Sequence, residues 1–401
     1  MLNDSETIKS PGRKRVALFL DGTWNTVGDN TNVWRLKALC AERGADGTRQ
    51  VAYYSTGLGT FVGEKLRGGM FGYGLDKAVI DAYKWLVETY EPGDEIFIFG
   101  FSRGAYTARS LAGFISKCGL LKPGAPLGIG QLYDRYRKDE TVSTIWKLYA
   151  AREAGLASGS VEERWMLDYA MRTPIKMIGV WDTVGALGVP FGDITGISRS
   201  GFKFLHTGLR VSQENAYHAV AIDEHRKAFA PTLWTRKIRD NVPATSMAAP
   251  RPIASVEQRW FVGAHANVGG GCRSDLLAQI PLRWLMDKAS SLGLSFRSVV
   301  TVDPEVLNAQ LSDSYGEFLH GAYRRVSKPY DRMIGEPPRP FPGGRDETIN
   351  ETIDASVFDR WRANADYRPV NLADWAQRHG IEPGSITTPV LAHDPRTAVR
   401  P

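Results

Sequence analysis

The chain has 401 residues, 43% of them hydrophobic and 23% charged, with a formal net charge of +6. This composition excludes a disordered chain or a small disulfide-stapled scaffold and leaves room for a sizeable core, while the basic residues form no Lys/Arg block, so nucleic acid is not expected as a partner. Cys40, Cys118 and Cys272 are odd in number, widely spaced and without a CxxC pair, so neither a disulfide framework nor a metal or cofactor site is indicated. No early segment has the apolar core of a signal peptide and no later run is long enough to span a bilayer. The chain is therefore expected to be made in the cytoplasm as a soluble protein, with export independent of a signal peptide left open.

Residues 15–21 form an apolar strand that ends in Gly22-Thr23-Trp24-Asn25, and Asn32 is placed to cap a helix running to Cys40. Residues 50–55 give a second strand. The Gly-rich stretch 63–74 lacks the Lys-Ser/Thr of a P-loop and the spacing of a dinucleotide fingerprint, so it predicts a loop before a helix over 75–90. Ile96, Phe97, Ile98 and Phe99, bounded by Pro92-Gly93, read as a buried parallel strand. The strand runs into Gly100-Phe101-Ser102-Arg103-Gly104, after which Ala105, Ala108, Leu111, Ala112 and Ile115 recur at helical spacing.

Residues 125–172 read as an insertion of two polar-faced helices, a cap whose apolar segments would hold an acyl chain. Strands are expected over 175–182 and 256–263, and helices over 214–222 and 276–292. The segment 328–345, rich in Pro and Gly, reads as a surface loop. It lies within a C-terminal extension, 296–380, packed on the core, and 382–401 reads as a loosely ordered tail. Strands alternating with helices throughout 1–401 imply one α/β domain with an open, mostly parallel sheet covered on both faces.

A serine between two glycines at a sharp strand-to-helix turn is held where its Oγ is exposed at the carboxyl edge of the sheet, which nominates Ser102 as a nucleophile. Its base must come from seven histidines, and His265 is the best placed, following a strand and opening the flexible run Ala266-Asn267-Val268-Gly269-Gly270-Gly271. His206, His218 and His225 fall in predicted helices or their ends, where packing or solvation is the commoner use. Asp182, ending a strand between serine and histidine, is the acid that would orient the imidazole, with Asp193, Asp223 and Asp275 as competitors and a turn-capping carboxylate as the bland reading. Backbone N–H of Arg103 and of the Gly22-Thr23 turn would face the developing oxyanion. Asp21 is either a further functional carboxylate or a turn stabiliser.

Five segments together resemble the DUF2235 family of α/β-hydrolases, which includes type VI secretion phospholipase effectors of the Tle1 kind: Leu18-Phe-Leu-Asp-Gly-Thr-Trp-Asn25, residues 93–109, Gly179-Val-Trp-Asp-Thr-Val-Gly185, residues 218–226 and residues 260–271. The resemblance, with weaker echoes over 356–360 and 367–372, implies an α/β-hydrolase fold and acyl-ester hydrolysis by Ser102, Asp182 and His265. It implies a lipid or small-molecule ester as substrate, with transient contact to a membrane surface. Asn267 stands where many members carry Asp, so a supporting role there is an open expectation. The competing functions are a small-molecule carboxylesterase and a non-catalytic interaction module on a hydrolase fold. Oligomeric state is not legible.

Overall fold

The computed structural model describes residues 12–22, 27–56, 70–138, 142–156, 159–185, 209–210, 212–243, 249–272, 276–325 and 327–399. The order of elements is β1 (Arg15–Leu20), α1 (Asn32–Leu39), β2 (Gln50–Ser55), α2 (Met70–Thr89), β3 (Glu95–Phe101) and α3 (Arg103–Cys118). An insertion then holds β4 (Leu120–Leu121), α4 (Ile129–Arg137), α5 (Ile145–Glu153), α6 (Val161–Tyr169) and β5 (Ala170–Met171). The core resumes with β6 (Ile175–Trp181), β7 (Gln213–Ala221), β8 (Thr235–Arg239), β9 (Val256–Phe261), α7 (His265–Gly269) and α8 (Leu276–Ser291). It closes with β10 (Arg339–Phe341), β11 (Gly344–Thr348), β12 (Glu351–Ile353), α9 (Ala355–Ala363), α10 (Val370–His379) and β13 (Val390–Leu391).

The central sheet runs β13-β12-β9-β7-β6-β3-β1-β2, parallel throughout except for β13, which pairs antiparallel with β12. Because successive strand side chains point to opposite faces, β1 divides its residues between two cores. Val16, Leu18 and Leu20 pack with α2 and α3 on one face, while Ala17 and Phe19 pack with α1 and α8 on the other. Both faces are covered, which is why β1 and β3 read as unbroken apolar runs. A third cluster, including Trp260, Ile353, Phe358 and Trp375, forms beneath α9 and α10. The α/β-hydrolase architecture expected from the sequence is the one found.

Four local expectations change. Residues 214–222 are not a helix but the central strand β7, paired with β6 and β9. Its three alanines, Ala216, Ala219 and Ala221, favour a helix by propensity, yet burial on both faces between two strands decides the outcome. The insertion contains three helices rather than two, and its described residues lie against the C-terminal half of α3. Tyr136 packs at Gly113, Cys118 Sγ meets Leu132 O at 3.6 Å, and Lys117 Nζ donates to Tyr136 O at 3.1 Å. Ser102 stands at the opposite end of α3, while Tyr133 and Arg137 of the insertion meet Asp76 near the start of α2.

The 328–345 segment is more than a surface loop. It buries Arg332 and Ile334 completely and carries β10 and the start of β11, which form an antiparallel sheet with β8. The 382–401 tail, as far as residue 399, is packed rather than loose: β13 extends the central sheet and Trp375 Nε1 donates to Ala392 O at 2.7 Å.

Candidate active site

β3 delivers Ser102 to the carboxyl edge of the sheet, and α3 starts at the next residue. Ser102 has φ 58° and ψ −121°, a conformation that costs a non-glycine residue about 1–3 kcal/mol. The surroundings impose it. A Cβ on Gly100 would lie 2.4 Å from Gly104 O, and one on Gly104 would lie 2.1 Å from Leu20 O. Only glycine at both positions allows the turn to fold over β1 this closely. Ser102 N donates to Trp181 O at 3.1 Å, tying the elbow to the end of β6.

Asp182 follows β6 directly, at φ 36°, with its backbone N donating to Ala219 O at 2.7 Å. His265 opens α7 after Gly263, whose φ of 113° is glycine territory, and its backbone N donates to Glu224 Oε2 at 3.2 Å. The imidazole is held by Phe101, with ring centroids 4.7 Å apart, and by the edge of Phe229 at 5.0 Å. His265 Nδ1 lies 2.6 Å from Asp182 Oδ2, and His265 Nε2 lies 2.8 Å from Ser102 Oγ. A carboxylate can only accept, so Nδ1 carries the proton and Nε2 presents its lone pair to the Ser102 hydroxyl. All three side chains are buried. Burial pushes the His265 pKa below its usual value, against the opposing pull of Asp182.

The sequence reading did not find Arg332. Its Nη1 donates to Asp182 Oδ1 at 2.6 Å and to Ala221 O at 2.7 Å, and its Nη2 donates to Asp182 Oδ2 at 3.0 Å and to Phe229 O at 2.6 Å. Asp182 Oδ1 also accepts from Ala221 N at 3.0 Å. Burial drives the Asp182 pKa upward, but the Arg332 charge and the His265 hydrogen bond outweigh it and hold the carboxyl far below the usual range. No local pattern marks Arg332, which lies in an irregular segment 150 residues after its partner.

The remaining predicted residues separate. Arg103 opens α3, where first-turn N–H groups lack intrahelical acceptors. Gly22 lies at the end of β1, but its N–H is given to Asp21 Oδ1 at 2.8 Å. Thr23 falls outside the described residues, as do Asp193, His206 and Asp275. Asp21 stabilises its own turn, accepting from Thr31 Oγ1 at 2.5 Å and Tyr54 OH at 3.0 Å. Asn267 meets neither Ser102 nor Asp182. Its Oδ1 accepts from Ala264 N and Ser312 N, both at 3.1 Å, and its Nδ2 donates to Ser312 Oγ at 3.1 Å, bracing the turn that carries His265.

Asp223 accepts from Gly263 N at 2.7 Å and from Tyr367 OH at 3.1 Å instead of facing an imidazole. His218 is a packed histidine, on β7 rather than a helix. Its Nε2 accepts from Thr183 N at 3.0 Å, which leaves Nδ1 as the donor to Gln258 Oε1 at 3.4 Å, and burial pushes its pKa down to about 3. Among the described residues, no cluster of three or more His, Cys, Asp or Glu side chains is arranged to hold a metal.

The model of the type VI secretion system Tle1-like phospholipase effector catalytic domain matches residues 14–288. An uncharacterized protein of Saccharomyces cerevisiae is 30% identical over 244 residues, covering 56% of this chain and 33% of that protein. The chain thus spans about one third of that relative's length. An uncharacterized Pseudomonas aeruginosa protein of known structure aligns over 79% of this chain and 51% of its own, at 16% identity and a TM-score of 0.45. The Tle1 effector, solved bound to the VgrG spike of the type VI secretion system, aligns over 65% and 52% at 19% identity and a TM-score of 0.34. A Thermogutta terrifontis esterase with propionate bound aligns over 72% and 87% at 13% identity and a TM-score of 0.35. With the match running from the first strand through α8, the chain belongs to the Tle1-like family of type VI secretion phospholipase effectors, through its catalytic domain.

Proposed function

We propose that the protein is a serine hydrolase that cleaves carboxylic esters, with phospholipid or another lipid ester as its substrate. One observation carries this reading: Ser102, on a strained elbow, is hydrogen-bonded at 2.8 Å to an imidazole whose other nitrogen is held at 2.6 Å by a buried carboxylate. A nucleophile, a base and an orienting acid in one line is what attack by a hydroxyl requires near neutral pH. Ser102 Oγ attacks the acyl carbonyl while its proton passes to His265 Nε2. The alcohol departs with that proton and leaves the acyl group on Ser102. Water then attacks, giving a proton to His265, and collapse returns Oγ–H and releases the acid. Asp182 stabilises the transient imidazolium, and Arg103 N–H faces the oxyanion.

The family match supports a phospholipid as the ester. A small-molecule ester is the second reading. Wild type and Ser102→Ala are compared on aryl esters of increasing chain length and on phosphatidylcholine and phosphatidylglycerol vesicles, with labelling by a fluorophosphonate probe. Turnover of long-chain vesicle lipid, lost in Ser102→Ala, supports the lipase. Turnover confined to soluble short esters supports the second reading. Wild type that neither labels nor turns over any ester overturns hydrolysis and leaves an interaction module.

A further inference from the structure

Glu224 stands shortly after the end of β7, and its side chain has no exposure to solvent. Its Oε1 accepts from Arg226 N at 2.9 Å and from Arg226 Nε at 2.8 Å. Its Oε2 accepts from Arg226 Nη2 at 2.7 Å, from Ser314 Oγ at 2.9 Å and from His265 N at 3.2 Å. Burial drives the Glu224 pKa upward, but the hydrogen bonds and charge of Arg226 outweigh it and bring it down to about 2. At neutral pH the group is therefore a desolvated carboxylate matched by one guanidinium fork.

Three successive N–H groups at the entry to α7 are each met by a different side chain. Gly263 N is held by Asp223, Ala264 N by Asn267 and His265 N by Glu224. First-turn N–H groups have no intrahelical acceptor, so these side chains fix where the helix, and with it the imidazole, begins. An amide suffices for Ala264, whereas His265 is given a charged acceptor, and burying an ion pair to supply one is costly. The same pair reaches the imidazole by a second route. Arg226 Cζ lies 3.5 Å from the centre of the Phe229 ring, whose edge packs on the His265 ring.

Among the described residues, the charges that bear on the imidazole come from Asp182 after β6 and from Arg226 and Glu224 after β7, while Arg332, ahead of β10, acts on Asp182 and Glu224. Arg226 disfavours imidazolium and Glu224 favours it, so the two oppose each other at the ring. We propose that Glu224, charge-matched by Arg226, is a positioning residue for His265: it anchors the main chain of the base and cancels the Arg226 charge that opposes imidazolium. The inference rests on the reading of His265 as the general base.

Glu224→Gln, Arg226→Gln and the double variant are prepared as full chains, and the His265 ring is titrated by NMR of isotope-labelled histidine, its signal identified by its loss in His265→Gln. Glu224→Gln should titrate at lower pH than wild type, because Arg226 is left uncompensated, and Arg226→Gln at higher pH. The double variant strands no charge, so it should fold and titrate between the two. Glu224→Gln should lose about tenfold or more in kcat with KM little changed, and the double variant should regain part of that loss. A merely structural pair would shift the melting temperature and leave the ring titration in place.

One titration curve shared by wild type and all three variants, or single variants that shift the same way, overturns the proposal. Where one single variant does not melt cooperatively, the other is read against the double variant. Two unfolded single variants beside a folded double variant with wild-type kcat would make the pair purely structural and likewise overturn it. The titration needs no substrate. Failure of wild type to cleave any ester would end the hydrolase reading and leave the ring titration standing, whereas ester cleavage with an unresponsive ring removes this inference alone.

Discussion

Arg332 grips both carboxylate oxygens of Asp182, at 2.6 and 3.0 Å, with neither side chain exposed to solvent. Removing one partner of such a pair strands the other charge in the interior. Arg332→Gln should therefore lower stability by about 3–5 kcal/mol, measured by denaturant unfolding. Asp182→Asn strands Arg332 instead and should lose a similar amount. A change below about 1 kcal/mol in both variants, the range of an exposed pair, would mean that the pair is not buried in solution.

The pH profile follows from His265. Its folded pKa is depressed below 6.5, so the acid limb of kcat/KM is expected below that value, with the imidazole neutral and competent at pH 7. Arg332 shares the Asp182 charge. In Arg332→Gln that charge faces the imidazole alone, favours imidazolium, and should move the acid limb upward toward neutrality. A purely structural Arg332 would lower activity without moving the limb.

Stability has the same sign. A depressed folded pKa contributes stability that is complete above the unfolded value and is lost as pH falls through the folded one. For His265 the loss begins near 6.5, and for Asp182 it continues below 3.8. Denaturant midpoints should be flat between about pH 7 and 9 and fall steadily in acid. Because His218, pushed down to about 3, titrates over the same window, His265→Gln should make the first part of that fall shallower without abolishing it, and an unchanged slope would refute the assignment.

Ser102→Ala is expected to act on kcat rather than on folding, whereas Asp182→Asn, which also strands Arg332, acts on both. Asp182→Asn should reduce kcat by about 10⁴-fold through the wrong imidazole tautomer, and Ser102→Ala by at least as much. Ser102→Ala also relieves none of the backbone strain at φ 58°, so its melting temperature should stay within a few degrees of wild type. Ester turnover above a few percent of wild type in Ser102→Ala would place the nucleophile elsewhere.

Asn267 offers a graded test. Asn267→Asp keeps the acceptor for Ala264 N and Ser312 N, and the Ser312 hydroxyl can reverse to donate, so the cost should be about 1 kcal/mol or less. Asn267→Leu leaves the buried Ala264 N–H and the half-buried Ser312 N–H unpaired, costing about 1–3 kcal/mol, and loosens the turn that positions His265. The two variants should separate in thermal melts and in kcat. Equal behaviour would show that the bracing is unimportant.

Much of the sheet was legible because β1, β3 and β6 are mostly apolar buried runs bounded by glycine, proline or polar turns, a pattern local enough to read along the chain. β7 was misread because alanine-rich sequence carries helix propensity, while its burial between β6 and β9 is a property of the sheet. The insertion's third helix was missed for a related reason: amphipathic helices announce that they will pack, but not on which surface.

Ser102, Asp182 and His265 could be chosen from sequence since each terminates a strand or begins the turn after one, and the carboxyl edge of a parallel sheet gathers such residues. Gly100 and Gly104 were legible as well, because the steric demand of the elbow is written in neighbouring residues. Arg332 was not. Its meaning depends on burial and on what stands within hydrogen-bond reach, and an arginine in sequence carries no mark of either. The sequence alone determined β1, β2, β3, β6 and β9, the elbow and the choice of Ser102, Asp182 and His265, all products of local patterning. Only the tertiary structure decided which charges are buried and which of them are met, because desolvation and pairing arise when distant segments close on one another.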